Sequence, residues 1–279
     1  APTEIYTLSL HDALPISLLS FASPDRHAAI ADIIRRHSSN PADIRQMEFA
    51  GLDWAAIREV LDLGCGFGLP AGLLARQSVP GTRIMGVDAC AENGDPFLAA
   101  VGAAGRHGAF ECLRLERTLP WPDRRFDLVV AAYSLYFFVD LLPEIARVLS
   151  PDGTFVTVTH SETTFRVLCE AAGLDASSSP LRRLLRGFCA ENGADRLAPF
   201  FADIERIEYP NTLRFEPEHL SELLDYADFK LPLLAAERGV SEAARAGVRQ
   251  RLSALIRGGG GFVMDKNDVL FRCRRPHAR

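Results

Sequence analysis

The chain has 279 residues, 48% of them hydrophobic, with a formal net charge of −5 and a pI near 5.8. These values describe a globular protein with enough chain for one large α/β domain. They argue against a nucleic-acid-wrapping surface, which shows as a basic excess, and no stretch approaches the roughly 20 apolar residues of a membrane span.

The chain opens with TEIYTLSLHDALPI, Thr3 to Ile16. Glu4, His11 and Asp12 interrupt its apolar residues and no Lys or Arg precedes Arg26, so this stretch is not expected to be a secretory signal. The stretch resembles, residue for residue, the in-frame translation of a common short-read sequencing adapter. Residues 1–16 are therefore expected to be an artefactual, disordered leader, followed by N-terminal helices over 17–58. Ser23-Pro24-Asp25 is a helix start: a capping Ser, Pro in the first turn and an acid at the positive end. Ile30, Ile33 and Ile34 give that helix an apolar face, and Asn40-Pro41 is expected to start a second, short helix in the same way.

From Glu59 the pattern alternates. EVLDL (Glu59 to Leu63) reads as a buried strand, GCGFG as a turn, and a helix starts near Pro70. RIMGVD (Arg83 to Asp88) is a second strand, with a helix over about Pro96 to Ala104. A third strand is expected near Phe110 to Leu115, and RFDLVVAA (Arg125 to Ala132) is a fourth. A helix over Leu141 to Leu149 and an S-P-D-G turn (Ser150 to Gly153) lead into a fifth strand, TFVTVTH. Apolar strands alternating with helices imply a parallel sheet covered on both faces. Beyond His160, helical segments run to about Phe201, DIERIEYPNTLRF reads as one long strand, and Pro217 to Ile256 is mostly helical. GGGG (Gly258 to Gly261) breaks that helix, and FVMDKNDVLFRCR reads as strand or hairpin.

Of 31 basic residues only Lys230 and Lys266 are lysine, a bias that fits a GC-rich genome and makes codon usage the plain explanation of the four Arg-Arg pairs. The six cysteines form no C-x-x-C pair and have no His at zinc spacing. Scattered thiols suit a reducing cytoplasm; neither a disulfide nor a metal is expected.

The sharpest signal is VLDLGCGFG (Val60 to Gly68). Glycines at a strand-to-helix turn let backbone approach a ligand and aim free helix N–H groups at it. The dinucleotide fingerprint G-x-G-x-x-G would need glycine where Leu69 stands. Asp88 ends the next strand, where a carboxylate can accept both hydroxyls of a ribose.

VLDLGCGFG, GVDA, LPWPDRRFDLVV and RVLSPDGTFVTV, in this order and spacing, resemble the class I S-adenosylmethionine-dependent methyltransferases over about Val60 to His160. The resemblance implies an α/β, Rossmann-like, seven-stranded, mostly parallel sheet whose last strand is antiparallel. Helices would cover both faces, with a helical insertion near the C-terminus. Residues 59–160 would be the core that binds S-adenosyl-L-methionine, and 161–279 would carry the late strands and a helical lid or cap. The glycine loop (Gly64, Cys65, Gly66, Gly68) would pass under the methionine part, with Asp62 and the Ala131 carbonyl toward its ammonium. Asp88 would hold the ribose, with Ala89 beside the adenine. Where relatives often carry an acid toward the adenine amine this chain has Leu115, and the neighbouring Glu116 is the substitute. Tyr133 and Tyr136 would stand near the transferred methyl, and His160, at the end of the fifth strand, is the candidate base. Core packing for the tyrosines and a strand-end hydrogen bond for the histidine are the competing structural readings.

The implied function is methyl transfer to a small-molecule acceptor, without nucleic-acid or membrane partners. The alternatives are a methyltransferase acting on RNA or protein, and a non-catalytic protein that binds the cofactor.

Overall fold

The computed structural model describes residues 23–235 and 241–277. The expected leader, 1–16, lies outside them. Helix α1 (Pro24–His37) starts as its sequence dictates, the Ser23 hydroxyl accepting from Arg26 N, and buries Ile30 and Ile33. Helix α2 (Ile44–Phe49) starts later than Asn40-Pro41 suggests. Asn40 instead closes a local turn onto Ala42 N (3.0 Å), and Asp43 is the cap, accepting from Arg45 N.

The alternating unit follows: β1 (Glu59–Leu63), α3 (Leu69–Gln77), β2 (Arg83–Asp88), α4 (Gly94–Gly102), β3 (His107–Cys112), β4 (Phe126–Ala132), α5 (Leu142–Val148) and β5 (Leu149–His160). Three short helices come next, α6 (Arg166–Ala172), α7 (Pro180–Gly187) and α8 (Gly193–Leu197), then β6 (Phe201–Tyr209) and β7 (Thr212–Phe215). Two longer helices, α9 (Leu220–Leu234) and α10 (Glu242–Gly259), precede β8 (Phe262–Asp265) and β9 (Asp268–Pro276).

Seven strands form one sheet in the order β3-β2-β1-β4-β5-β9-β6, parallel except for β9, which is antiparallel to both neighbours. Alternate residues of the inner strands feed two different cores. Val60, Leu128, Val130, Val156 and Val158 pack on the α3–α4 face, while Leu61, Val129, Ala131 and Phe155 face the C-terminal helices. This period of two, buried on both sides, is why the strands read as unbroken apolar runs. The order reverses between β1 and β4, and at such a switch point the diverging turns leave a crevice beyond the strand ends.

Three expectations are corrected. The third strand lies three residues earlier, because β3 is an exposed edge whose position is set by pairing with β2 (Arg83 with His107 through Asp88 with Cys112) and not by burial. DIERIEYPNTLRF is two strands: Pro210 has no N–H to donate, β6 stays in the sheet, and β7 joins β8 in a separate antiparallel ribbon. FVMDKNDVLFRCR is likewise β8 and β9, which do not pair with each other. The two breaks face one another, since Tyr209–Asp268 is a pair of the sheet and Thr212–Asp265 a pair of the ribbon. Asn211 N donates to the Asn267 side chain and Lys266 N donates to Asn211 O, both at 2.9 Å, locking the crossing point.

The expected S-P-D-G turn is instead a bulge inside β5, since Phe126 pairs with Leu149 but Leu128 with Thr154. The glycine run ends α10 through Gly260, whose φ of 72° is the left-handed cap. The six cysteines are free thiols. No helix among the described residues is long and apolar enough to cross a membrane.

Candidate active site

A cavity of about 1380 Å³ opens at the switch point, floored by the ends of β1, β2, β4 and β5 and walled by α1, α2 and α9. Single-ligand pockets run to roughly 1,000 Å³, so there is space for a cofactor and a second molecule.

On the β1–β2 side the wall is glycine loop and carboxylates. Gly64 (φ 70°) could not carry a side chain, because a Cβ would lie 2.5 Å from Ser134 Cβ; at Gly66 (φ 52°) the same position is open space. Gly66 therefore leaves its backbone bare toward the cavity. Its N–H donates to Asp88 Oδ2 (2.9 Å), while Asp88 Oδ1 accepts from Cys90 N and Asn93 Nδ2. Asp62 is 1% exposed and its Oδ2 has no partner; burial, followed by the Asp88 charge, pushes its pKa up to about 7. Glu48, on α2, is fully buried on the same cavity with both carboxyl oxygens unpartnered, and burial and Asp62 push it well up. Three orphaned acceptor oxygens beside a bare loop suit a cationic amine such as that of S-adenosylmethionine. The expected group fits here.

The opposite wall is a closed polar cluster around Asp268, the first residue of β9. Its Oδ1 holds His160 Nδ1 at 2.6 Å, and its Oδ2 accepts from Tyr133 OH at 2.8 Å and from Lys266 Nζ. Burial would push the Asp268 carboxyl up, but Lys266 and His160 outweigh it and hold it down at about 2. Burial, reinforced by Lys266 and opposed by Asp268, pushes His160 down to about 4. The imidazole is thus neutral at pH 7, with Nδ1–H fixed on Asp268 and Nε2 left as an acceptor. Tyr133 reaches this cluster through a left-handed backbone (φ 55°) just past β4. The Tyr136 ring stacks on His160 at 6.2 Å.

Of the residues singled out from sequence, Asp62, Gly64, Cys65, Gly66, Asp88, Ala89, Glu116, Tyr133, Tyr136 and His160 line this cavity. Two expected contributors do not. A Cβ at Gly68 would sit 2.8 Å from Phe97 Cα, so that glycine serves the packing of α3 on α4. The Ala131 carbonyl accepts from Thr157 Oγ1 at 2.8 Å inside the sheet, and it is Ala132 that lines the cavity. Glu116 is half-exposed and paired with Arg114. Glu48, Lys230, Lys266 and Asp268 were not recognisable in the sequence as site residues. Only the rarity of lysine set two of them apart.

A methyltransferase domain model matches residues 61–157. An uncharacterized methyltransferase of Bacillus subtilis, YcgJ, is 32% identical over 113 residues, 38% of this chain; the match spans only 42% of that protein's length. The crystal structure of YcgJ superposes with a TM-score of 0.50 and 17% identity, covering 89% of this chain and 99% of that one. A putative methyltransferase from Bacillus halodurans gives 0.52 and 16%, covering 84% and 98%. Residues 61–157 therefore match a methyltransferase domain, set in a sheet order like that of the class I S-adenosylmethionine-dependent methyltransferases.

Proposed function

We propose that the chain binds S-adenosylmethionine and transfers its methyl group to a small-molecule acceptor held in the same cavity. One observation carries this: the glycine loop with its orphaned carboxyl oxygens and the His160–Asp268–Lys266–Tyr133 cluster open onto a single cavity. Asp62 and Glu48 would receive the cofactor's ammonium, Asp88 the ribose hydroxyls, and Ala89 and Glu116 would lie toward the adenine. The bound cofactor would supply an electrophilic methyl on a sulfonium. The protein then has to align the acceptor and exclude water. His160 Nε2 is the base for an acceptor that must lose a proton, with Asp268 fixing the tautomer and balancing the imidazolium. Phe229, Lys230 and Leu233 bring α9 over the cavity as its lid. The free thiols suit a cytoplasmic setting.

Calorimetric titration with S-adenosylmethionine and S-adenosylhomocysteine, followed by labelled-methyl transfer in extract fractions, tests the reading. Saturable binding and transfer are expected. Binding without transfer to any fraction would leave only a cofactor-binding protein.

A further inference from the structure

Lysine is nearly absent from this chain, with two among 31 basic residues, yet both line the same cavity. Arginine serves wherever a surface cation is needed. Lysine differs in being a compact ammonium that an apolar pocket can hold and deprotonate. Lys266 is taken up by Asp268. Lys230 is not: among the described residues its Nζ makes no hydrogen bond or ion pair. It stands within 5.1 Å of the Phe229 ring centroid, 5.4 Å of Phe165 and 5.9 Å of Tyr226. Phe165 links it to the catalytic cluster, its ring 5.5 Å from that of His160. The ammonium and the imidazole thus both stand within 5.5 Å of the same Phe165 ring and line the same cavity.

The charges nearby set what such a molecule carries. Lys266 and Asp268 cancel, His160 is neutral, and His27 on α1 is likewise pushed to about 4 by burial and Lys230. Arg26 also stands 5.8 Å from the Phe229 centroid but does not line the cavity, so the subsite itself offers one positive charge at most. That matches a single carboxylate, while a phosphate dianion would leave a charge uncompensated in an aromatic setting. Burial, followed by Lys266, pushes Lys230 down to about 7, so a bound anion would draw the amine back to its charged form.

We propose that Lys230 anchors a carboxylate on the methyl acceptor, so that acceptors are small planar carboxylic acids lying among Phe165, Phe229 and Tyr136 with the accepting group at His160. This rests on the methyltransferase reading for naming the ligand an acceptor; the carboxylate subsite stands on its own geometry.

Labelling with lysine enriched in 13C at Cε gives two side-chain signals for the whole chain. The probes are 4-hydroxybenzoate and salicylate with their uncharged amides, added to protein saturated with S-adenosylhomocysteine. One signal, absent from Lys230→Met, should titrate near neutrality, and its midpoint should rise with the acids and not with the amides. The acids should bind roughly tenfold or more tightly than the amides, as a charge-assisted hydrogen bond implies. Lys230→Met should abolish that preference while leaving S-adenosylhomocysteine affinity within about twofold. Equal binding of acids and amides, acids that do not bind, or a preference that survives Lys230→Met would overturn the proposal. If S-adenosylhomocysteine fails to bind, the methyltransferase reading falls, and the lysine signal in ligand-free protein still decides the carboxylate subsite.

Discussion

The two walls of the cavity handle charge in opposite ways. On the glycine-loop side, carboxyl oxygens of Asp62 and Glu48 are buried without partners. On the far side, Asp268 satisfies three donors at once and itself has every need met. The first wall is left with unpartnered oxygens, which fits the cofactor-binding role proposed for it. The second is complete in the free protein, which is what the base proposed for His160 would need to keep its tautomer. The two walls thus differ in stability: the glycine-loop wall carries buried unpartnered oxygens whose cost a cationic ligand would relieve, and the far wall holds its hydrogen-bonded geometry without one.

Three changes break or sharpen that contrast. The largest effect belongs to Asp268→Asn, which leaves Lys266 uncompensated and frees the His160 ring. Breaking a buried pair costs about 3–5 kcal/mol, so a fall in melting temperature and in methyl transfer is expected with cofactor affinity nearly unchanged. An unchanged melting temperature would show that the far wall is no more prepaid than the near one.

Asp62→Asn should act in the opposite direction on the ligand-free protein. With a folded pKa near 7 against an ordinary 3.8, the folded state holds a proton the unfolded state has lost. Stability contributed by Asp62 is full below about pH 4 and drains away as pH rises toward 7. Asp268, held at about 2, contributes stability above about pH 4 that is lost as pH falls through 2. Denaturant melts from pH 4 to pH 8 should show a flatter decline for Asp62→Asn than for the parent, together with weaker cofactor binding. Identical slopes in the two proteins would mean that Asp62 is not strained by burial.

The smallest effect is expected from Asp88→Ala. Losing a charge-assisted contact to the ribose costs on the order of 1.5–3 kcal/mol, roughly tenfold or more in cofactor affinity. Asp88 also holds Gly66 N and Cys90 N, so Asp88→Asn, which keeps an acceptor oxygen, separates the ribose contact from loop order. Unchanged affinity in both variants would remove Asp88 from the cofactor wall.

The same contrast explains what the sequence could show. The near wall comes mostly from one run, Asp62 to Ala89, where glycine spacing and a strand-end acid have local reasons to exist. Of the strands buried on both faces, β1, β2 and β4 announced themselves within about a residue, whereas β5 starts five residues before the expected Thr154. Strand β3, an exposed edge, was placed three residues late because pairing rather than burial sets its ends. The far wall has no local signature. His160 meets Asp268 only because β9 inserts beside β5 in register, 108 residues further along the chain. Asp268 and Lys266 sit in a stretch, MDKND, that looks like an ordinary turn. Glu48 lies between Met47 and Phe49 in a six-residue helix, where a charged residue passes for solvent-facing. Gly68 and Ala131 failed differently, because a motif position can serve packing or a sheet hydrogen bond while its neighbour meets the ligand.

The insertion of β9 also fixes the order in which this molecule can be completed. Strand β6 precedes β9 in the chain by some sixty residues, yet in the sheet it touches only β9. A growing chain can therefore assemble β1 to β5 around local βαβ crossovers while β6 waits without a partner, its edge open through the synthesis of α9 and α10. Closure of the sheet and creation of the His160–Asp268 pair are then one event, late and of long sequence separation, the kind that folds slowly and exposes strand edges to misassembly. A nascent chain halted before Asp268 would hold the glycine loop, Asp88 and His160 but not the carboxylate that orients the imidazole, so the cofactor wall can be complete before the far wall.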